Sequence, residues 1–233
     1  MPAPDPSLIT FDPETVRDVE VGLKADWELG SVPVRMNVAA FHDKYKDIQV
    51  INLVPINGQL TSAITNSGEA TIKGVEAEFT VIPIHNLRLS GFYSYTKATY
   101  GDYFQDGINV NGQQMFYVPK SKAGGAVNYS IEMGGLGSLD LGANVSYTAE
   151  ANSPDVTAPA PINKFDSYTL VNASIDWLNI VGQPIDLTLF ATNVTDEEYI
   201  SGGYPVYSAL GFTSAIYGEP RMYGASLRYR FGK

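Results

Sequence analysis

Hydrophobic and polar residues alternate along most of this chain with a period of two. From Val19 to Trp27 the odd positions are apolar, while the even positions hold Glu20, Gly22, Lys24 and Asp26. This period is typical of a β-strand with one apolar and one wet face. The alternation predicts nine strands, at residues 16–27, 34–50, 70–81, 87–99, 121–132, 139–150, 167–177, 185–199 and 222–231.

The lengths of these segments and of their connections indicate a membrane setting. Most predicted strands have ten or more residues, whereas soluble strands usually have about five or six. A tilted strand that crosses a bilayer needs ~9 to 11 residues. The connections alternate strictly between short (28–33, 82–86, 133–138, 178–184) and long (51–69, 100–120, 151–166, 200–221). Short turns on one side and long loops on the other predict an all-β fold, an antiparallel transmembrane β-barrel segment.

The amino-acid composition limits which partners and which chemistry we expect for this chain. The formal net charge of −10 argues against nucleic acid as a partner, because phosphates would repel the chain. There is no cysteine, and the two histidines, His42 and His85, are too few and too far apart to suggest a metal site. Neither a phosphate-binding glycine loop nor a nucleophile elbow occurs. We therefore expect no cofactor, no metal and no enzymatic activity.

The alternation also predicts which way side chains point. Because a charge on the lipid face costs ~2–4 kcal/mol at the membrane midplane, charged residues within strands are expected to face the lumen: Glu76, Glu78, Arg88, Arg228 and Arg230. The two glutamates could form a catalytic pair, but we favour hydrated carboxylates near Lys73 and Arg88. Aromatic residues on the apolar face predict membrane-interface girdles: Trp27, Trp177, Tyr93, Tyr147, Tyr229 and Phe231.

The strand count predicts a section of a larger barrel. The first and the last strand both run toward the periplasm, whereas a complete bacterial barrel of one chain has an even number of strands. The N-terminus has neither the basic region nor the apolar core of a signal peptide. We therefore expect residues 1–15 to be the remnant of an extracellular loop, and 16–233 to be the C-terminal part of a barrel whose earlier strands lie upstream.

The long loops are the predicted ligand-binding region. They combine aromatic rings with amide and acidic side chains, a mixture suited to stacking on catecholate, macrocyclic or sugar ligands. The candidates are Tyr100, Tyr103, Phe104, Phe116, Tyr117, Tyr204, Tyr207, Phe212 and Tyr217. Equally, these rings could pack the loops against each other. Loop 151–166, with three prolines, is interpreted as a stiff lid segment or a disordered tip.

Several short motifs resemble those of TonB-dependent outer-membrane receptors. Pro13-Glu14 with Glu20 and Gly22, Tyr45-Lys46-Asp47-Ile48-Gln49, and Asn66-Ser67-Gly68-Glu69-Ala70 before Gly74 and Glu76 are similar to motifs of late barrel strands in this family. Asn193-Val194-Thr195-Asp196-Glu197-Glu198-Tyr199 and Gly218-Glu219-Pro220-Arg221 are similar to the motifs that flank its last two strands. Together, in this order, they cover most of the chain.

The resemblance implies a barrel of about 22 strands with a plugged lumen in the bacterial outer membrane. It implies uptake of a scarce nutrient, ferric siderophore above all, energised by TonB through a plug that is absent from this chain. The implied partners are outer-membrane lipid, TonB, the barrel-assembly machinery at the C-terminal strand and a small-molecule or metal-chelate substrate. Two alternatives stay open: a passive porin or another class of barrel, and a soluble β-sandwich module that buries the apolar face of 223–231 in a core.

Overall fold

The computed structural model describes residues 10–56, 59–66, 68–105 and 107–232. Its first strands are β1 (Thr15–Leu29), β2 (Val32–Lys46), β3 (Gln49–Ile56), β4 (Gln59–Asn66), β5 (Glu69–Ile84), β6 (Leu87–Tyr100), β7 (Phe104–Gln105) and β8 (Ile108–Asn109). The later strands are β9 (Ser121–Glu132), β10 (Ser138–Thr148), β11 (Ala151–Asn152), β12 (Lys164–Phe165), β13 (Tyr168–Leu178), β14 (Ile185–Thr192), β15 (Ile200–Gly202), β16 (Ile216–Tyr217) and β17 (Met222–Tyr229). One helical turn, α1 (Tyr207–Leu210), lies between β15 and β16, and 3-10 turns occupy Gly134–Leu136 and Ile180–Gly182.

Nine of these strands form one antiparallel sheet within the described residues, in the order β1-β2-β5-β6-β9-β10-β13-β14-β17. We call it the large sheet. The nine strands occur in the sheet in the same order as along the chain, so the nine-strand prediction and the antiparallel fold class are confirmed. Short turns connect the strands at one end of the large sheet and long loops at the other. Nowhere in the described ranges does a helix reach the length and apolarity that crossing a membrane requires.

Two predicted strands are too long by four or more residues at the end nearest the long loops. The second ends at Lys46, not residue 50, because Asp47 takes a left-handed backbone (φ 57°) that leaves the strand. The eighth ends at Thr192, not residue 199, because Asn193 does the same (φ 48°). Asn and Asp tolerate this conformation better than most residues. Both errors came from extending the alternation across a turn-forming residue.

The long loops contain small hairpins that the sequence did not predict. Gln49–Ile56 pairs with Gln59–Asn66, and β7 pairs with β8. In loop 151–166, β11 pairs with β12, and in the last loop β15 pairs with β16. Loop 151–166 is therefore a structured hairpin base and not a disordered tip.

Strand register gives the large sheet one apolar and one polar face. Leu23, Val38, Ala77 and Tyr93 are successive cross-strand neighbours on the apolar face. The row one residue away, Lys24–Asn37–Glu78–Phe92, is on the polar face. A slip of one residue would exchange the faces, so the register preserves the separation across all nine strands.

No second sheet covers the apolar face within the described part of the chain. Tyr223 and Leu227 are each 72% exposed, and Phe231 is 86% exposed. A soluble β-sandwich buries such a face against another sheet, so this alternative from the sequence does not fit. The two outer strands, β1 and β17, each have one hydrogen-bonded neighbour, and the sheet is open.

Buried residues concentrate at the long-loop end of the sheet. They include Ala70, Ala98, Tyr103, Val110, Ser153, Asp155, Ala158, Phe165 and Asn193. A single-layer sheet has no interior of its own, so the packed region of this chain is formed by its loops. That region is where the sequence placed the ligand-binding residues.

Candidate ligand-binding site in the long loops

The first loop cluster lies at the base of loop 101–120 and packs three of the candidate rings together, with Tyr103 buried and Tyr100 and Phe116 half-buried. The ring of Tyr100 lies 4.7 Å from that of Tyr103 and 5.1 Å from that of Phe116, centroid to centroid. The Tyr103 hydroxyl donates to the Gln105 side-chain oxygen at 2.7 Å. Tyr103 is 4% exposed, so its ring stabilises the loop from within and is not part of the outer surface.

A second cluster, centred on Tyr117, connects three long loops. The Tyr117 ring stacks on Phe165 at 5.5 Å, with an angle of 18° between the rings. Its backbone N–H donates to the Asn152 carbonyl at 3.0 Å, and its hydroxyl donates to the Gly203 carbonyl. Burial raises the pKa of Tyr117, and the nearby Asp155 carboxylate and Tyr204 phenol raise it further. The phenol therefore stays a neutral hydrogen-bond donor at physiological pH.

Asp155 joins loop 151–166 to the last long loop. Its side chain is almost fully buried at 1% exposure, and Oδ1 accepts the Tyr207 backbone N–H at 2.9 Å. The Ser153 hydroxyl accepts the Asp155 N–H at 3.2 Å, which closes a local turn. Sequence reasoning missed Asp155. The Ser-Pro-Asp run around it indicates a turn, but no pattern identifies a partner 52 residues away.

Four of the other candidate rings lie on the outer surface of the loops, exposed by more than half: Phe104, Tyr204, Phe212 and Tyr217. Tyr207 is half-buried beside Asp155. The nine candidates thus divide into buried rings that pack the loops and exposed rings that could stack on a ligand. Packing of the loops is observed for the first subset and also for Tyr117, which is 47% exposed; stacking on a ligand stays a prediction for the exposed rings.

An open cavity lies beneath the Tyr117 cluster, where the long loops meet the large sheet. It has a volume of about 170 Å³ and is lined by Tyr117, Lys122, Phe165, Tyr168 and Ser201 among others. Ligand pockets are usually ~300–1,000 Å³, so this cavity is too small to enclose a whole siderophore. It could form one wall of a larger site. Sequence reasoning did not select Lys122, Phe165 or Tyr168.

The motif that follows β14 and the motif that precedes β17 hold each other in place. Asn193 is 4% exposed, and its amide bonds the Glu197 N–H, the Glu197 carbonyl and the Glu219 carbonyl at 2.9–3.1 Å. The Arg221 guanidinium lies 3.2 Å from Asp196 Oδ2. The two motifs are thus one structural unit, and it brings the end of β14 next to the start of β17.

The motifs of the early strands form a similar unit around Asn66. The Asn66 amide donates to the carbonyls of Asp12 and Asp47 at 2.7 and 2.8 Å. Glu14 accepts the Gln49 N–H at 3.1 Å, and this bond is the main cause of a lowered pKa for the Glu14 carboxyl. Both units hold together chain segments at the points where these segments pass between the large sheet and the long loops.

The predicted lumen residues lie on the polar face but do not form one site. Glu78 Oε2 accepts from the Asn37 amide at 3.4 Å, and Glu76 faces Ser94 across the strands. The expectation that Lys73 neighbours these glutamates is wrong, because it alternates onto the apolar face with Val75.

Arg88, Arg228 and Arg230 lie near the short turns, far along the sheet from the two glutamates, so the expectation that Arg88 neighbours the glutamates is also wrong. Arg230 pairs there with the buried Asp186 at 3.0 Å. No group of three or more His, Cys, Asp or Glu side chains in the described residues is arranged to hold a metal ion.

The five predicted girdle residues that lie in strands are all on the apolar face. Trp27, Trp177 and Tyr229 are at the short-turn end, where the Trp177 indole donates to the Leu136 carbonyl at 2.8 Å. Tyr93 and Tyr147 share a cross-strand row closer to the loops. Phe231 follows β17 and packs edge-on against Tyr229 at 4.5 Å.

A nine-stranded sheet with one uncovered apolar face, short turns at one end and packed long loops at the other defines a section of an outer-membrane-type β-barrel wall. Comparison with known families is consistent with this class. The model of the family "TonB dependent receptor-like, beta-barrel" matches residues 2–230. The chain belongs to this family.

Known proteins of the same kind resemble the chain over part of their length. It is 32% identical over 140 residues to the metal-pseudopaline receptor of Pseudomonas aeruginosa, a match that covers 60% of this chain and 18% of the relative. It is 28% identical over 166 residues to the ferrichrome outer membrane transporter/phage receptor of Escherichia coli K12, covering 70% and 20%. The chain therefore spans about a fifth of these curated relatives.

The fold agrees with that of a solved receptor. The ferric yersiniabactin uptake receptor of Yersinia pestis superimposes with a TM-score of 0.70 at 19% identity. The match covers 93% of this chain and 30% of the receptor. At this identity the likeness supports the fold alone.

Proposed function

We propose that this chain forms part of the barrel wall and of the outer loops of an outer-membrane receptor that takes up a scarce nutrient, with a ferric siderophore as the substrate class. The observation that carries the proposal is that the family model matches residues 2–230, and that this match coincides with a packed cluster of aromatic long loops. The named relatives bind metal-pseudopaline and ferrichrome, which supports a metal chelate over other nutrients.

The open edges of the large sheet support a larger barrel. In lipid, unpaired backbone groups each cost several kcal/mol, so a sheet is stable there only when its edges are paired. β1 and β17 both have an unpaired side, and further strands or each other would have to satisfy them. A section of a larger, plugged barrel is consistent with this requirement, with residues 10–14 in an extracellular loop; residues 1–9 of the predicted loop remnant lie outside the described residues.

Transport in this proposal is energised by TonB through a plug domain, and the barrel-assembly machinery recognises the C-terminal strand. The exposed Phe231 at the end of β17 supports recognition of the last strand. The polar face with Glu76, Glu78, Arg88, Arg228 and Arg230 is proposed to face the lumen, and the girdle residues to lie at the two membrane interfaces.

The exposed loop rings provide the test of ligand binding. We expect the triple variant Tyr204→Ala, Phe212→Ala and Tyr217→Ala of the complete receptor to bind ferric siderophore about 30-fold more weakly, because each aromatic contact contributes ~0.5–1.5 kcal/mol. Equilibrium binding in detergent would be measured with one hydroxamate and one catecholate chelate.

Tyr223→Ala is the control, since Tyr223 is at least as exposed as the three rings but lies on the apolar face of the sheet. Its affinity for the chelates is expected to equal that of the wild type. Unchanged binding by the triple variant, or no uptake difference between cells with and without TonB, would contradict the proposal. Retention in the outer-membrane fraction tests the localisation separately.

A further inference from the structure

Basic residues on the apolar face gather at one place. Arg17, His42, Lys44, Lys73 and Lys97 all lie on this face at the long-loop end of β1, β2, β5 and β6. We call them the basic patch. His42, Lys73 and Lys97 are successive cross-strand neighbours, and Arg17 lies opposite Lys44 in the next row. All five are exposed.

The lysines and the arginine of the patch have no ion-pair partner among the described residues, whereas His42 interacts electrostatically with the Asp43 carboxylate. The adjacent Lys46, by contrast, is neutralised by Glu69 at 3.1 Å. The acidic residues interleaved with the patch, Asp18, Glu20 and Asp43, alternate onto the polar face of the sheet. These three carboxylates thus lie on the face opposite the patch, and Glu69, on the same face as the patch, is paired with Lys46.

This arrangement is unfavourable unless an anion is present. Arg17 lies directly opposite Lys44, and Lys73 directly opposite Lys97. Like charges directly opposite each other on adjacent strands are destabilising. With strands ~4.8 Å apart and ~6.7 Å between alternate residues, the patch covers roughly 14 by 7 Å. Several cations in so small an area, in a chain of net charge −10, indicate a built anion-binding surface.

The height of the patch places it at a membrane boundary. Lys97 lies ten positions beyond Leu87, the first residue of β6, which corresponds to ~33 Å along a strand. At a tilt of about 40° this becomes ~25 Å, the height of the apolar band of a membrane barrel. The row immediately below the patch is already apolar: Val21, Ala40, Val75 and Tyr95. The cations would therefore lie at the level of the lipid headgroups.

We propose that the basic patch binds the phosphate groups of lipid headgroups in the membrane leaflet on the long-loop side. Lysine and arginine form short, charge-assisted hydrogen bonds with phosphate, and a phosphorylated headgroup would relieve both opposed pairs while its acyl chains cover Val21, Ala40 and Val75. The inference rests on the proposed function, because that sets the apolar face in a membrane.

The test compares two triple variants of the complete receptor with equal changes in charge. The patch variant is Lys44→Gln, Lys73→Gln and Lys97→Gln, and the control is Lys24→Gln, Lys120→Gln and Lys164→Gln, three exposed lysines elsewhere. Delipidated receptor in non-ionic detergent is titrated with short-chain phosphatidic acid, with the corresponding diacylglycerol, and with inorganic phosphate. Native mass spectrometry counts the bound molecules, and circular dichroism checks the fold.

We expect the wild type and the control to bind phosphatidic acid far better than diacylglycerol or inorganic phosphate. The patch variant should bind it about 100-fold more weakly, since each cation near an anionic lipid surface contributes about fivefold. Equal losses in both variants, equal binding of inorganic phosphate, or no preference for the phosphorylated lipid would each overturn the inference. Binding of ferric siderophore, measured in the same samples, reports on the proposed function independently.

Discussion

Asn193 offers the sharpest test of how the long loops are held. Its side chain is buried and makes three hydrogen bonds to backbone groups, two to Glu197 and one to Glu219. At a net value of about 1 kcal/mol each, replacing the side chain should cost about 3 kcal/mol of the free energy that keeps this loop base closed. In addition, its backbone is left-handed, which costs alanine about 1 kcal/mol more than glycine.

Two substitutions separate these contributions. Asn193→Gly loses the hydrogen bonds but keeps the left-handed backbone free of strain, so we expect about 3 kcal/mol. Asn193→Ala loses both, so we expect about 4 kcal/mol. Hydrogen–deuterium exchange of the segments 193–200 and 216–221 measures local opening directly. The expected acceleration is about 150-fold for glycine and about 800-fold for alanine.

One internal control and two possible results test this reasoning. Exchange in β9–β10, far from the substituted residue, should not change and serves as the internal control. If both variants accelerate exchange less than fivefold, the buried amide does not hold the loops, and the hydrogen-bond argument fails. If alanine and glycine give equal rates, the left-handed backbone does not carry the second contribution.

Two further predictions concern contacts between loops. Burial raises the pKa of Tyr117 above its usual value of about 10, so its hydrogen bond to Gly203 should persist below pH 10 and be lost only as the pH rises through the higher pKa of the folded state. The difference between ultraviolet titrations of the wild type and Tyr117→Phe should show one phenol that titrates above pH 10. A difference that titrates at about pH 10 would contradict this prediction. Gly218→Ala places a methyl group 1.9 Å from the Tyr199 ring, so it should lower the midpoint of thermal unfolding by the equivalent of ~1–3 kcal/mol. The control Gly135→Ala places its methyl group where no neighbouring atom lies, so the midpoint should not change.

The strands, and the sheet face on which each side chain lies, could be predicted from the sequence because they depend on local geometry. Side chains alternate at every step of a strand, so the positions of Leu23 and Lys24 on opposite faces follow from their numbering alone. The same rule should have placed Lys73 with Val75 on the apolar face; grouping it with Glu76 broke the alternation. The basic patch could also have been predicted, because its residues in β1 and β2 alternate with the neighbouring acidic residues along each of these strands and therefore lie on the opposite face.

What only the tertiary structure decided lies at the ends of the strands. Strands stop at Asp47 and Asn193, where the chain turns toward partners that no periodic pattern reveals. Asp155 and Tyr207 are 52 residues apart, and Tyr117 and Gly203 are 86 apart, and their contacts depend on how several loops converge. Periodicity is a property of the chain near each residue and can be read from the sequence. Loop packing depends on distances between remote segments, which the assembled sheet sets, and it therefore needed the structure.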